Sequence, residues 1–452
     1  MTDNDTTCRK RRKVTLFCVL TVLPLIAIAA FVLFRVGARS KLQARIDAIR
    51  AAGYPATPAE LDAWYTIPAS AENGADYVID AFSWYQKSLG AADPDLAQKV
   101  YSAELPARTE PVDEATKKLI AQHISDNQQA LELLHKGAAA EHFRYPVDLT
   151  AGFAALMPDL SEIREAARLI RLEAVLHAEN AEPQLATDSV MSGLGLARSL
   201  VKEPILLSQL VRIACQALAV STLEQVINRT ELTDKQLAEL GECIANAETL
   251  SDISVGFVGE RCIGISIFTE PESFAGGMPA TPSPSLGLYR ATGLADKGAL
   301  IYLDMMQACI EATRLPPHQR QKATDAAQAK LAATSKIHVL LHIFAPAFSR
   351  VTTLDIRSLA QLRTARAALA IQRYRLATSK LPDALADLVP TYLDAVPKDP
   401  FDGKDLRYKK LETGFVVYSI GEDGSDDGGK ERPPKRQRRH EPANWDVTFT
   451  IE

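Results

Sequence analysis

The densest chemistry in the chain is one short run near its end, Gly421-Glu422-Asp423-Gly424-Ser425-Asp426-Asp427-Gly428-Gly429. Carboxylates this close repel one another unless water or a cation stands between them. Calcium takes six to eight oxygens and accepts irregular loops, and glycines let carbonyl oxygens turn inward. The EF-hand spacing is absent, and no Glu follows at the twelfth position, so a solvated acidic turn competes with a calcium loop. His338 and His342 stand four apart, a spacing that can hold a metal on one helix face. No Glu follows the first as in H-E-x-x-H, no third ligand is identifiable, and the intervening Val339, Leu340 and Leu341 favour structural histidines in a buried helix. Gly256, Gly259, Glu260, Arg261 and Cys262 form a short polar cluster that reads best as a helix junction. Lys435 to His440 is a basic run beside Pro433 and Pro434, read as a solvated insertion between strands. There is no G-x-S-x-G, no P-loop and no G-x-G-x-x-G. No catalytic constellation is legible, and the reading leans away from an enzyme.

The elements that hold these residues are mostly helical. Apolar residues spaced by threes and fours predict helices at 74–90 and 112–139, then four more at 161–179, 184–202, 205–228 and 233–249. Asn180-Ala181-Glu182-Pro183 and Lys202-Glu203-Pro204 break the run, and Thr233 supplies an N-cap. Short loops between such helices make antiparallel hairpins, the unit of bundles and solenoids. Ala166, Leu169, Leu172 and Ala186 loosely resemble a tetratricopeptide hairpin, without a repeat of fixed period. Residues 271–297 are rich in Pro and Gly and predict a long loop over a groove, after which helices resume at 298–314, 318–344 and 351–378.

The other end of the chain carries a membrane signal. Val14 to Phe34 holds no charged residue. At about 1.5 Å per residue it spans about 30 Å, the thickness of a hydrocarbon core. Arg9, Lys10, Arg11, Arg12 and Lys13 precede it; Arg35, Arg39 and Lys41 follow. The heavier cationic flank stays in the cytoplasm, which exports the body. Ala27-Ile28-Ala29 would suit a signal-peptide cleavage, but apolar residues continue past it to Phe34, longer than a signal core. A charged amphipathic helix at 35–53 then reads as a stalk.

Composition agrees with a globular exported body. Of 452 residues, 47% are apolar and 24% charged, enough for a real core. Residues 1–41 carry eight Lys/Arg against two Asp/Glu, whereas 42–452 carry 43 against 54. A body that acidic is a poor general binder of nucleic acid or anionic lipid. Cys215, Cys243, Cys262 and Cys309 lie beyond the membrane segment, as free thiols or as two disulfides. If 205–228 and 233–249 form a simple hairpin, Cys215 and Cys243 face each other across it.

After Lys380 the pattern changes. Pro382 to Leu388 reads P-x-x-L-x-x-L, Pro397 to Gly403 reads P-x-D-P-F-x-G, and Ser419 to Gly424 reads S-I-G-x-D-G. Residues 406–410 and 414–420 read as a β-hairpin, and Trp445 to Ile451 alternates as a third strand. With the helix before it, this stretch, about 351–452, resembles the C-terminal half of the major pseudopilin of type II secretion. The resemblance implies a helix against a small antiparallel sheet, and a calcium loop with Asp423 and one or both of Asp426 and Asp427 as side-chain ligands. Pseudopilins place their membrane helix directly before this module and carry a glycine cleavage site. Here residues 35–350 intervene and no such site precedes Val14, so assembly into a pilus is not expected.

The resulting expectation is a mainly α protein of helical hairpins with one N-terminal transmembrane helix and a small C-terminal α+β module. Its parts are a basic tail (1–13), the transmembrane helix (14–34), a hairpin domain (35–270), the loop (271–297), further helices (298–350) and the pseudopilin-like module (351–452). The expected role is an anchored interaction protein of the bacterial envelope, with protein partners bound on its helical surfaces. The alternative is an exported hydrolase or glycan-active enzyme with its site in a groove under the loop. The topology has a direct consequence: a reporter that works only outside the cytoplasm should be active when fused after Glu452, and cytoplasmic activity of such a fusion would reverse the assignment.

Overall fold

The structure, a computed structural model, describes residues 4–86, 98, 100, 105–154, 159–269, 291–333, 347–432 and 445–452. The paired histidines His338 and His342, the basic run 435–440 and most of the Pro/Gly-rich stretch lie outside these residues. The described chain is mainly helical with one small antiparallel sheet.

Helix α1 runs unbroken from Asn4 to Ala51. Val22, Leu23, Leu25, Ile26, Ile28 and Leu33 are all exposed on it. At about 100° per residue these positions point to most sides of the helix, so among the described residues nothing covers Val22 to Leu33. Further along, Leu42 and Ile49 are buried in the body. The segment expected as a stalk is therefore the first core helix. Among the described residues one helix has the length and hydropathy to span a membrane, Leu206–Ile227, not the N-terminal run expected from the sequence, and 67% of its window is buried within the body.

The body continues with α2 (Pro58–Trp64), α3 (Gly74–Trp84), α4 (Glu114–Asp126) and α5 (Gln128–Ala139). The single helix expected at 112–139 is two. Asn127 sits between them at φ −112°, ψ 16°. Its side chain donates to the His123 carbonyl (2.9 Å) and accepts from the Gln86 N–H (2.7 Å). An Asn that hydrogen-bonds the backbone locally competes with the helix ladder, and here it wins.

Four helices then follow close to their expected bounds: α6 (Leu160–Glu179), α7 (Pro183–Arg198), α8 (Leu206–Ile227) and α9 (Asp234–Thr249). Thr233 closes a capping box with Gln236 at the start of α9. Helices α6, α7 and α8 pack on one another, but α9 lies mainly against α7 and a later helix. Cys215 is accordingly buried in one apolar cluster while Cys243 borders another, and all four described cysteines are free thiols. The expected Cys215–Cys243 pairing fails because the α8–α9 turn sends α9 across the fold instead of back along α8.

Helix α10 (Ser254–Thr269) contains the whole Gly256–Cys262 cluster, so this is no junction. A Cβ at Gly259 would stand 1.5 Å from the Pro204 carbonyl oxygen, and one at Gly256 would stand 2.9 Å from Gln209. The glycines let α10 press onto the start of α8. Helices α11 (Leu294–Thr313) and α12 (Pro317–Ala332) follow, with Gly293 at φ 74° capping α11, which takes up the last four residues of the stretch expected as loop. Then comes the longest helix of the body, α13 (Ala347–Thr378).

Beyond α13 a 3₁₀ turn (Leu385–Leu388) leads to β1 (Arg407–Lys410), β2 (Phe415–Ser419) and β3 (Val447–Ile451), paired antiparallel in that order. The P-x-D-P-F-x-G motif acquires its physical meaning here. Asp399 is fully buried. Its carboxylate accepts from the Phe401 N–H (2.9 Å), the Ser419 hydroxyl (2.8 Å), the Ile420 N–H (3.0 Å) and the Arg407 guanidinium (2.5 Å). One side chain thus ties the 397–403 turn to both ends of the hairpin. A buried carboxylate is tolerated only when satisfied in this way.

One face of the sheet packs on α13, whose other sides meet α8, α9 and α12. A single apolar cluster joins Ala174, Val190, Leu223 and Leu240 of the helical body to Leu362, Ile371, Phe415 and Phe449. Residues 351–452 therefore share a core with the hairpins that precede them.

Candidate functional site

An open cleft of about 620 Å³ lies where the helical body meets the sheet, between the α8–α9 turn, the end of α13 and the last strand. Leu232, Leu237, Leu376 and Ile451 give it an apolar floor, and Asn228, Thr230, Gln372 and Arg375 line it with polar groups. A second groove of about 250 Å³ runs on between α9 and α13 and shares Leu237 with it. This volume is in the range of ligand and peptide sites, which favour the seams between packed units.

The walls are built by groups already spent on structure. Asn228 caps α8 and covers the free edge of β3: its Nδ2 donates to the Thr450 carbonyl (3.0 Å) and its Oδ1 accepts from the Glu452 N–H (2.9 Å). Glu224, one turn earlier, accepts from the Thr450 N–H at 2.7 Å. Burial pushes the Glu224 carboxyl up to about 7, against the pull of that N–H. Arg229 donates to Glu179 (2.9 Å) and to the carbonyls of Ala107, Arg108 and Glu110. These contacts pin the 105–112 segment and the α8 terminus to the sheet.

Other groups in the cleft are not spent. The Arg375 guanidinium has no hydrogen-bond or ion-pair partner among the described residues. Beside it Leu376 is 54% exposed. Ser379, which ends α13, takes the left-handed conformation at φ 59°, a position that usually falls to glycine. None of this was legible in the sequence, because Asn228, Arg375 and Ile451 converge only through the packing of α8, α13 and β3.

The acidic loop follows β2. Asp423 Oδ1 accepts from the Ser425 N–H (3.0 Å) and Asp426 Oδ1 from the Gly428 N–H (3.0 Å), each closing its own turn. The other Asp426 oxygen faces Arg407 Nε at 3.7 Å. Asp427 Oδ2 is buried without a partner. Asp446, just before β3, accepts from the Gly429 N–H (2.7 Å), and its pKa is raised by burial and further by the charges of Asp426 and Asp427. The structure thus sets Asp426 and Asp427 beside Asp446, which sequence reading missed, while Asp423 closes its own turn with Ser425. Among the described residues no three such side chains are grouped at metal-ligand spacing.

A third cluster joins α5, α6 and α7. His135 Nδ1 lies 2.7 Å from the Ser192 hydroxyl and Nε2 lies 3.0 Å from Glu173 Oε1, while Ser189 donates to the other Glu173 oxygen (2.8 Å). The arrangement has the order of a nucleophile, base and acid. Ser192, however, stands in the middle of α7, where the neighbouring N–H groups are engaged in the helix ladder and none is aimed at a developing oxyanion. Elsewhere Glu203 is buried with one oxygen unpartnered and the other taking the Tyr65 hydroxyl at 2.5 Å. Its carboxyl is pushed up to about 7 by burial, beside a void with room for about one water molecule.

No family model, curated protein or solved structure matches this chain. The geometry alone therefore bears on what it does.

The His135 cluster has a measurable consequence. Burial lowers the His135 pKa, but the hydrogen bond and charge of Glu173, with Asp188 behind, outweigh burial and hold it above its ordinary value. The folded state then binds a proton more tightly than the unfolded chain. The stabilisation is complete below about pH 6.5 and is lost as pH rises through the raised value. Denaturant midpoints from about pH 6 to 8 should fall more steeply for the native protein than for His135→Gln. Equal slopes would show that the imidazolium adds nothing.

Proposed function

We propose that this chain is a membrane-anchored protein of the bacterial envelope whose exported body binds a protein partner in the cleft between its helices and its C-terminal sheet. The observation that carries the binding role is the cleft itself: an apolar floor, an unpaired Arg375 and an exposed Leu376 held by a rigid frame. Arginine is enriched at interface hot spots, and an exposed apolar side chain beside it adds area that a partner can bury. The anchoring role is supported by the apolar stretch of α1, exposed on all sides, and by the heavier basic flank before it.

The test is position-specific photocrosslinking in intact cells. A benzophenone side chain in place of Leu376 should give a discrete protein adduct, while one in place of the equally exposed Leu185 on α7 should not. Arg375→Glu should weaken capture about tenfold or more without changing the melting temperature. Adducts that do not depend on position would remove the cleft from the account.

Calcium belongs to this reading as a stiffener of the last module. Asp426, Asp427 and Asp446 are not grouped at metal-ligand spacing and the ion would have to draw them together; what favours it is that one buried oxygen of Asp427 lacks a partner and Asp446 is held against two neighbouring negative charges. Bound there, the ion would neutralise that repulsion and link the loop to β3. The full-length protein in detergent should melt higher in millimolar calcium than in chelator. A ligand at a hundredfold excess over Kd contributes about 2.7 kcal/mol. Magnesium should do much less, since it sheds water reluctantly. Asp427→Ala should abolish the difference and Asp423→Ala should leave most of it. Equal effects of the two ions would reduce the loop to a solvated turn.

A further inference from the structure

The anchor and the body are one piece. Helix α1 has no break between its apolar stretch and the core. The body first meets it at Arg35, the residue that follows the apolar run: a Cβ at Gly293 would lie 3.5 Å from the Arg35 Cα. About two and four turns further on, Leu42 and Ile49 are buried, α1 packs along α11, and Arg45 pairs with Asp304 at 3.1 Å. From Phe34 to Leu42 the helix rises only about 12 Å. There is no length of flexible chain in which the body could stand away from whatever surrounds the apolar stretch.

Charge at this level is one-sided. Arg35, Arg39 and Lys41 on α1 and Lys297 in the first turn of α11 are all exposed. The next acid on α1 after Arg35 is Asp47, and Asp296 is the one acid in the opening turn of α11. Cations at this height reach the phosphate layer while their stems stay on the apolar side.

We infer that the face formed by the Arg35–Lys41 turn of α1 and the first turn of α11 rests against the lipid phosphates of the bilayer, with α1 acting as a rigid strut that fixes the body's orientation. This rests on the anchored reading above. The strut gives that reading a definite geometry: the tilt and rotation of the membrane helix set which way the cleft opens.

The experiment places a fluorescent amino acid at Lys297 in the full-length protein, reconstituted in nanodiscs with headgroup-spin-labelled lipid. Emission should be quenched at least about twofold relative to unlabelled nanodiscs, since the probe sits in the headgroup layer. A Gly–Ser insertion between Gly37 and Ala38 should remove most of the quenching, while the protein still resists alkaline carbonate extraction. Lys297 emission that is unquenched in a carbonate-resistant protein would overturn the docked face and leave the anchor intact. Quenching that survives the insertion would overturn the strut. Extraction of the native protein by carbonate would overturn the anchor itself, and the inference with it.

Discussion

A three-stranded sheet of four- and five-residue strands, whose central strand is buried throughout, must keep its apolar surface out of water, and this constraint organises the C-terminal part of the molecule. The sheet must cover one face, and α13 covers it. It must also protect the edge of β3, and Asn228 and Glu224 of α8 do so by taking the place of a fourth strand. Because α8 is itself the most central helix of the hairpin body, covering the sheet welds the two halves together. The cleft is what remains open along that weld, where the α8–α9 turn and the end of α13 diverge.

Buried charge follows the same seam. Arg212 on α8 is almost fully buried and donates to Gln209 (2.7 Å), Ser251 (3.1 Å) and, more weakly, Gln216, while Asp355 on α13 takes Arg320 at 3.2 Å and lies 3.9 Å from Arg212. Burial raises the Asp355 carboxyl even with two arginines beside it. Such a set is weak evidence for stability, since desolvation offsets much of the attraction. Its geometric demand is strict, however, and it fixes α13 against α8 in one register. The position of Arg375 and Leu376 at the far end of α13 inherits that register.

At the opposite end of the molecule a continuous helix replaces a hinge. Leu42 and Ile49 belong to the same apolar cluster as Phe257, Tyr302 and Phe348, so the core begins within the helix that carries the apolar run. If that run is the anchor, as proposed, the body cannot sample all orientations as a flexibly tethered one would.

The amino-acid sequence by itself determined what depends on near neighbours in the chain. Periodicity located α6 to α9 within a few residues, Thr233 marked a helix start, and alternation after Lys404 gave the hairpin and third strand. The uncharged run from Val14 to Phe34 was legible for the same reason, because length and hydropathy are local. Tertiary structure decided what depends on distant groups. Asn127 broke an otherwise perfect helical pattern because the Gln86 backbone lay within its reach. Cys215 and Cys243 parted because α9 found more apolar surface on α13 than on α8. The carboxylates of the acidic loop were plain in the sequence, but Asp446 joined Asp426 and Asp427 only when β3 closed the sheet. His135, Glu173 and Ser192 come from three helices, and the cleft groups from two helices, a turn and a strand. No spacing along a chain encodes such convergence; it exists only once burial of the apolar faces has chosen which helices touch.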